Sequence, residues 1–400
     1  MGTMDRVTHG ALDCHRKFSR ATWRDGSNEI VCRQRIEHGD RERFRQALRA
    51  WPPGTPVLIE ATFGWPWVCD EAEAAGLEPH LVNCTKVDGW RKAQDLPKSN
   101  RLDADLLSEL WLHPGKRWWE VWLPPQEVRS RREWLRYRIT LTRLQAGLKC
   151  RVHAILHSYG VLHEFSDLFG IQGRRFLNLL VASEDERLSG SARAVMKGYL
   201  QFLDYIRRQM ASVTREFRHQ QTKNPTAERL RTLPGVSWIL AYTILAEVGT
   251  FERFRSGRSL AKYSLLAPKA DDSGDEDPRA IPKGRHIGKI GRRTLKWAWV
   301  EAAHSAMRKD SRFRQIYDRR TDGGKRDRMR GLIAVARTLC CTAWSMEKYQ
   351  RTYQTEPPPR PGSQVTRNRR RRRMVKEHLF KRHSRPVKGQ PSSAMVPDVS

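Results

Sequence analysis

The chain has 400 residues and carries 75 Lys+Arg against 44 Asp+Glu, a formal charge of +31, with 38% hydrophobic residues that include 14 Trp. A field of that sign selects polyanions, nucleic acid first among them, and the length allows two or three domains with real cores. No apolar run approaches the ~20 residues that span a bilayer, and the first ten residues (MGTMDRVTHG) lack a secretory apolar region, so no membrane partner and a cytoplasmic location are expected.

Along residues 1–125 strand and helix signals alternate. A β-like run reaches Asp13, a second covers 18–23, and the turn Asp25-Gly26-Ser27-Asn28 leads into a third at 29–35. A helix is expected near 40–50, where Phe44, Leu48 and Trp51 recur at helical spacing. A buried strand at 56–61, a helix near 65–76, a strand at 80–84 and a helix from about 100 to 111 follow. Three antiparallel-type strands and then αβαβα is the order of a ribonuclease-H-like, or RuvC-like, α/β sheet.

Within this region Asp13 ends the first strand, Glu60 ends the fourth, and Asp103 opens the last helix. Cutting or transferring a phosphodiester with bound Mg²⁺ needs hard oxygen ligands that converge from separate elements. Parallel central strands bring their C-terminal ends to one edge, so these three acids are expected to meet there. Glu60, directly after Val-Leu-Ile, is the most telling, because a carboxylate at a buried strand end is costly unless paired or bound to metal. Taken singly, each acid also reads as a helix cap or a surface carboxylate. Asn100 stands three residues before Asp103, on the same helix face, and Asp105 lies two residues beyond it.

Residues 126–222 read as a helical, coiled-coil-like segment. Trp134, Tyr137, Leu141, Leu144, Leu148, Val152 and Ile155 follow three/four spacing, as do Val195, Tyr199, Phe202, Ile206, Met210, Val213 and Phe217. Two long helices are expected, either closing an intramolecular core or forming an interface between copies. Seven cysteines form no Cys-x2-Cys pair, which argues against a zinc finger and for reduced thiols.

Residues 223–350 read as a mostly helical domain opened by a helix–hairpin–helix element. Pro234-Gly235 makes the turn, and Ala241, Ile244, Leu245 and Val248 fall at helical spacing after it. Backbone N–H groups at such a helix start suit a nucleic-acid phosphate. Lys283, Arg285, Lys289, Arg292, Arg293 and Lys296 surround a Gly-rich run and are candidate phosphate contacts, each of which also reads as part of a solvated face. Between these segments lies Ser273-Gly274. A serine beside Asp and Gly is by itself a solvated loop residue, but a hydroxyl between cationic segments points to phosphoryl transfer on DNA. The tail 351–400 is Pro-rich and basic, with the run Arg369–Arg373, and lacks apolar periodicity. It reads as disordered until it meets nucleic acid.

These pieces, in this order, resemble the transposases of the insertion-sequence one-ten family, the DEDD transposases. The resemblance rests on PGVS at 234–237 with ILAEVG at 244–249, FERF at 251–254, LAKYSLLAP at 260–268, DSG at 272–274 and GKIGRRTLKWAWVEAA at 288–303. In the first domain it rests on Asp13, on Glu60-Ala61-Thr62 and on the KSNRLDA segment at 98–104. The chain departs from the family at two places. Ser264 stands where a glycine is usual, and Asn100 stands where the third acid of the tetrad is expected. The resemblance implies Mg²⁺ held by Asp13, Glu60, Asn100 and Asp103, Ser273 as recombinase nucleophile, donor and target DNA, an element-encoded guide RNA, and a homodimer or homotetramer. Asn100 implies a weakened metal site, or a geometry in which Asp105 partly substitutes. Two other readings remain open: a RuvC-type junction nuclease using carboxylates alone, and a decayed, non-catalytic nucleic-acid-binding copy.

Overall fold

The computed structural model describes residues 6–97, 100–113, 119–182, 187–269, 286–287 and 291–355. The chain divides into two compact units, residues 1–130 and 131–400.

The first unit is built on β1 (Val7–Cys14), β2 (Phe18–Asp25), β3 (Ile30–Glu37), α1 (Arg41–Arg49), β4 (Pro56–Glu60), α2 (Trp65–Ala74), β5 (Glu78–Val82), α3 (Cys84–Ala93) and α4 (Asn100–Glu109). The sheet order is β3-β2-β1-β4-β5. β1 and β3 run antiparallel to β2, whereas β4 is parallel to β1 and to β5. The β2–β3 turn is fixed by Asp25, whose Oδ1 accepts from the Ser27 and Glu29 amides, both at 3.0 Å. Asp40 caps α1 by accepting from the amides of Glu42 and Arg43.

Side chains alternate across the sheet. Leu12, Trp23 and Ile59 join Phe44, Leu48, Val68 and Ala72 on one face. Ala11, Leu58 and Val82 join Val87, Leu106 and Leu107 on the other. Each such fully buried large side chain contributes roughly 1.5–3 kcal/mol. Gly10 is dictated by packing, since a Cβ there would lie 2.3 Å from the Trp23 ring.

The expected strands and helices are present, and α3 is an addition to them. The strand expected at 80–84 ends at Val82, because Asn83 turns the chain and caps α3 by accepting from the Lys86 amide. α3 shows little helical signal in sequence, with Gly89 in its middle and Val87 its buried residue.

In the second unit α5 (Gln126–Ser158, counted here from Arg131), α6 (Ile171–Ala182) and α7 (Gly190–Gln221) precede α8 (Pro225–Thr232), α9 (Trp238–Val248), α10 (Gly257–Tyr263), the short strands β6 (Pro268–Lys269) and β7 (His286–Ile287), α11 (Arg293–Lys309), α12 (Ser311–Thr321) and α13 (Arg328–Lys348). α5 and α7 form an antiparallel pair. Val152 and Leu156 pack with Met196 and Leu200, while Leu135 and Leu141 pack with Ile206, Val213 and Phe217. The buried face of the N-terminal half of α7 is therefore Ala192, Met196, Leu200 and Leu203. In that half the stripe expected from spacing lies beside it, with Val195 and Phe202 exposed, whereas its Ile206, Val213 and Phe217 are buried as expected; on α5 Leu141 and Val152 are buried, and Trp134, Tyr137 and Leu144 are exposed. α7 carries two adjoining apolar stripes. α6, absent from the sequence reading, selects between them by packing Leu177 and Leu180 into the core.

A second core joins Leu230, Leu240, Ile244, Leu260, Leu295, Trp299 and Leu339 from α8 to α13. Arg132 closes the C-terminus of α9, donating from Nε to the Ala246 carbonyl (2.9 Å) and from Nη2 to that of Glu247 (3.2 Å). Ser264, the departure from the expected glycine, is fully buried at the end of α10 with φ −79°. That backbone does not require glycine, so the substitution carries no conformational cost.

Candidate active site

Parallel pairing of β1 with β4 sets Leu12 opposite Ile59, so the next residues, Asp13 and Glu60, stand side by side at the C-terminal edge of the sheet. Period-two alternation puts Asp13 on the face of Ala11 and Glu60 on that of Leu58, the face covered by α4. Asp103 lies in the first turn of α4. The three acids line one cleft of about 600 Å³, together with His15, Thr62, Phe63, Asp88 and Arg91.

Asp13 is 9% exposed. Burial pushes its carboxyl above the usual carboxylate range; His15 pulls it down and the Asp103 charge pushes it up again. His15 Nε2 lies 3.0 Å from Asp13 Oδ2, in a contact without hydrogen-bond geometry, leaving a buried oxygen that accepts no hydrogen bond. Such an oxygen is suited to a cation. Burial pushes the neighbouring Cys14 thiol up to about 12, which removes it as a thiolate nucleophile.

The carboxylates in this cleft offer hard oxygens, the type that Mg²⁺ takes. Among the described residues no three His, Cys, Asp or Glu side chains are gathered closely enough to enclose an ion. Asn100 is the first residue of α4, and its side chain lies outside the described residues. Asp105 is engaged elsewhere. Its carboxylate accepts from Thr22 Oγ1 at 2.8 Å and from Arg33 Nε and Nη2, each at 3.0 Å. This ties α4 to β2 and β3, away from the cleft.

In the second unit, α8 and α9 are joined by a turn through Pro234 and Gly235, where the hairpin was expected. Gly235 has φ +87° and is packed against α11, where a Cβ would lie 2.1 Å from the Ala302 carbonyl oxygen. Arg292 is held within the fold: its Nε donates to the Tyr263 hydroxyl at 3.0 Å and its Nη1 is 3.3 Å from Glu247 Oε2. Arg293 is exposed and Lys296 partly so, both in the first turn of α11. Ser273, Lys283, Arg285 and Lys289 lie outside the described residues. Pro268–Lys269 and His286–Ile287, which stand on either side of Ser273, Lys283 and Arg285, pair antiparallel.

The sequence reading missed Phe63, Asp88 and Arg91 as cleft residues. Phe63 had a signal, its place three residues after Glu60. Arg91 and Asp88 had none, because they belong to the unanticipated α3.

Residues 227–318 match the family described as Transposase IS116/IS110/IS902 family. The chain is 21% identical over 325 residues to a "Probable family 20 transposase" of Pseudomonas aeruginosa, covering 81% of this chain and 91% of that one. It is 23% identical over 292 residues to the "Transposase for insertion sequence element IS1328" of Yersinia enterocolitica, covering 71% and 82% of the two chains. The transposase of element IS1111A from Coxiella burnetii is 22% identical over 70% of this chain and 73% of its own. Residues 227–318 are thus similar to the IS116/IS110/IS902 transposase family, and proteins named as transposases align with 70% to 81% of the chain. The family match spans α8 through α11 and most of α12, and so brackets the segment that contains Ser273.

Proposed function

We propose that this chain is a transposase of the IS116/IS110/IS902 family that cuts and rejoins DNA at the ends of its own insertion element. The observation that carries this reading is the convergence of Asp13, Glu60 and Asp103 on one cleft, in a chain whose residues 227–318 match the family. The strand order β3-β2-β1-β4-β5 supports a RuvC-like assignment for residues 1–125. We assign 126–222 to assembly as a homodimer or homotetramer, 223–350 to the serine-bearing domain with its helix–hairpin–helix, and 351–400 to a basic nucleic-acid-binding tail. Donor DNA, target DNA and an element-encoded RNA are its partners in this reading, following the family resemblance.

A hard divalent cation such as Mg²⁺, held by Asp13, Glu60 and Asp103 with Asn100 as the fourth member of the set, would supply Lewis-acid polarisation of the scissile phosphate. The chain's own residues do the rest. The His15 ring stands 3.0 Å from Asp13 Oδ2, where it eases the cost of the carboxylate charge. Ser273 attacks phosphorus: its Oγ–P bond forms, the bond to the leaving sugar oxygen breaks, and the serine proton is matched by one gained at that oxygen. The covalent adduct conserves the phosphodiester energy for strand joining. Arg293 and Lys296, with Lys283, Arg285 and Lys289, contact phosphates in this reading, while Arg292 is committed to Glu247 and Tyr263.

The test incubates the purified protein with Mg²⁺, the element's flanking RNA and labelled donor and target DNA, and scores covalent protein–DNA adducts on a denaturing gel. Wild type is expected to form the adduct, whereas Ser273→Ala and Asp13→Asn are not. Cleavage that persists in Ser273→Ala would assign the chemistry to the carboxylates alone. Tight binding without cleavage would mark a decayed copy.

A further inference from the structure

Phe63 is 86% exposed, yet it lines the same cleft as Asp13, Glu60 and Asp103. The link that presents it is short and held at both ends. The Ala61 amide donates to the Val82 carbonyl and the Thr62 amide to that of Glu60, both at 2.8 Å. Gly64, with φ +90°, then turns the chain into α2, where Pro66 sits in the first turn. The backbone therefore presents the ring within three residues of a candidate metal ligand.

The cleft around it is cationic and hydroxylated as well as acidic. Arg16 is exposed at its rim. Arg91 is held in place by Asp88 Oδ1 at 2.6 Å and the Leu96 carbonyl at 3.0 Å. Thr62 and Thr85 complete the lining. Cations for a phosphate and a flat apolar face for a base describe one ligand chemistry, a nucleotide within an unpaired strand. An apolar peptide or lipid would leave the carboxylates and guanidinium groups desolvated.

We propose that Phe63 is a positioning residue on which the base beside the scissile phosphate of an unpaired DNA strand stacks. This rests on the strand-cleaving reading above and adds a preference to it: DNA enters the cleft frayed or single-stranded, because a base inside a duplex has no free face for the ring.

The test uses the full-length protein and single-stranded DNA of random sequence in which 5-iodouracil replaces thymine. Irradiation is followed by digestion and mapping of the cross-linked peptide. An adduct at Phe63 is expected, lost in Phe63→Leu and restored in Phe63→Tyr. Phe63→Leu should weaken single-strand binding roughly tenfold and leave duplex binding unchanged. Its melting temperature should match wild type, since the ring is exposed. Cross-links elsewhere with none at Phe63, or unchanged single-strand affinity in Phe63→Leu, would overturn the proposal while leaving the strand-cleaving reading intact. Iodouracil RNA that cross-links at Phe63 in preference to DNA would also overturn it, by making the occupant an RNA strand. Failure to bind DNA at all would remove both readings.

Discussion

Asp13 is held in a place that works against its charge. Its carboxyl is raised by burial and by the Asp103 charge, so between the unfolded and native values the folded state holds more protons than the unfolded one. Stability then falls as pH rises through that window, and above it the ionised side chain is a net cost. Asp13→Asn should therefore raise the melting temperature in chelator at neutral pH while abolishing adduct formation; a lower melting temperature would make Asp13 structural instead. His9 carries the opposite dependence. It is 1% exposed, and burial followed by the Arg24 charge pushes it down to about 4. The folded state keeps the ring neutral while the unfolded chain protonates near 6.5. Its contribution is complete above that value and is lost as pH falls toward about 4, on the order of 3 kcal/mol. Chemical denaturation at successive pH values should show this slope in wild type and a flatter one in His9→Gln.

At the level of elements, two features of the helical core test what the turn between α8 and α9 does. Gly235→Ala meets both a left-handed backbone and the Ala302 carbonyl, and should cost about 3 kcal/mol or more in urea unfolding. DNA affinity that drops without any change in stability would show that the turn acts on DNA alone. Glu347 on α13 is 6% exposed and is held by Arg229 of α8 through Nε at 2.9 Å and Nη2 at 2.7 Å. Arg229→Ala strands that charge and should destabilise by roughly 3–5 kcal/mol. The elements most legible in sequence were those whose own pattern decides them. β1, β2 and β4 join strand residues to a turn or a flanking acid, and α9 follows a Pro-Gly turn. α3 and α6 were missed because neither carries a long apolar stripe of its own. Each is a helix through what it packs against.

For the whole molecule, charge is the dominant variable. Residues 356–400 contain 12 Lys+Arg against 3 Asp+Glu. Tyr353 and Gln354, just before them, are tied to the helical core: the Tyr353 amide donates to Thr232 Oγ1 at 2.9 Å and Arg312 Nη2 donates to the Gln354 carbonyl at 3.1 Å. A chain ending at Thr355 keeps these ties and should melt where the full chain does. Its affinity for DNA should fall less steeply with salt, the slope of log K against log salt dropping by about one for each phosphate that the tail would have neutralised. An identical slope would show that the tail neutralises no phosphates.

Composition, local periodicity and contiguous motifs were enough for the expectation of a polyanion partner, the order of elements in the first unit, the three acids that line one cleft and the resemblance to a transposase family. All of these are properties of neighbouring residues, which a linear reading can see. The folded chain chose which of two apolar stripes α7 buries, since that choice belongs to α6. It bound Asp105 to Arg33 and Thr22, and Arg292 to Glu247 and Tyr263, through partners far away in the chain. It also brought Phe63, Asp88 and Arg91 to the acidic cleft. These are questions of which side chain meets which across long sequence separations, and no local pattern encodes the answer.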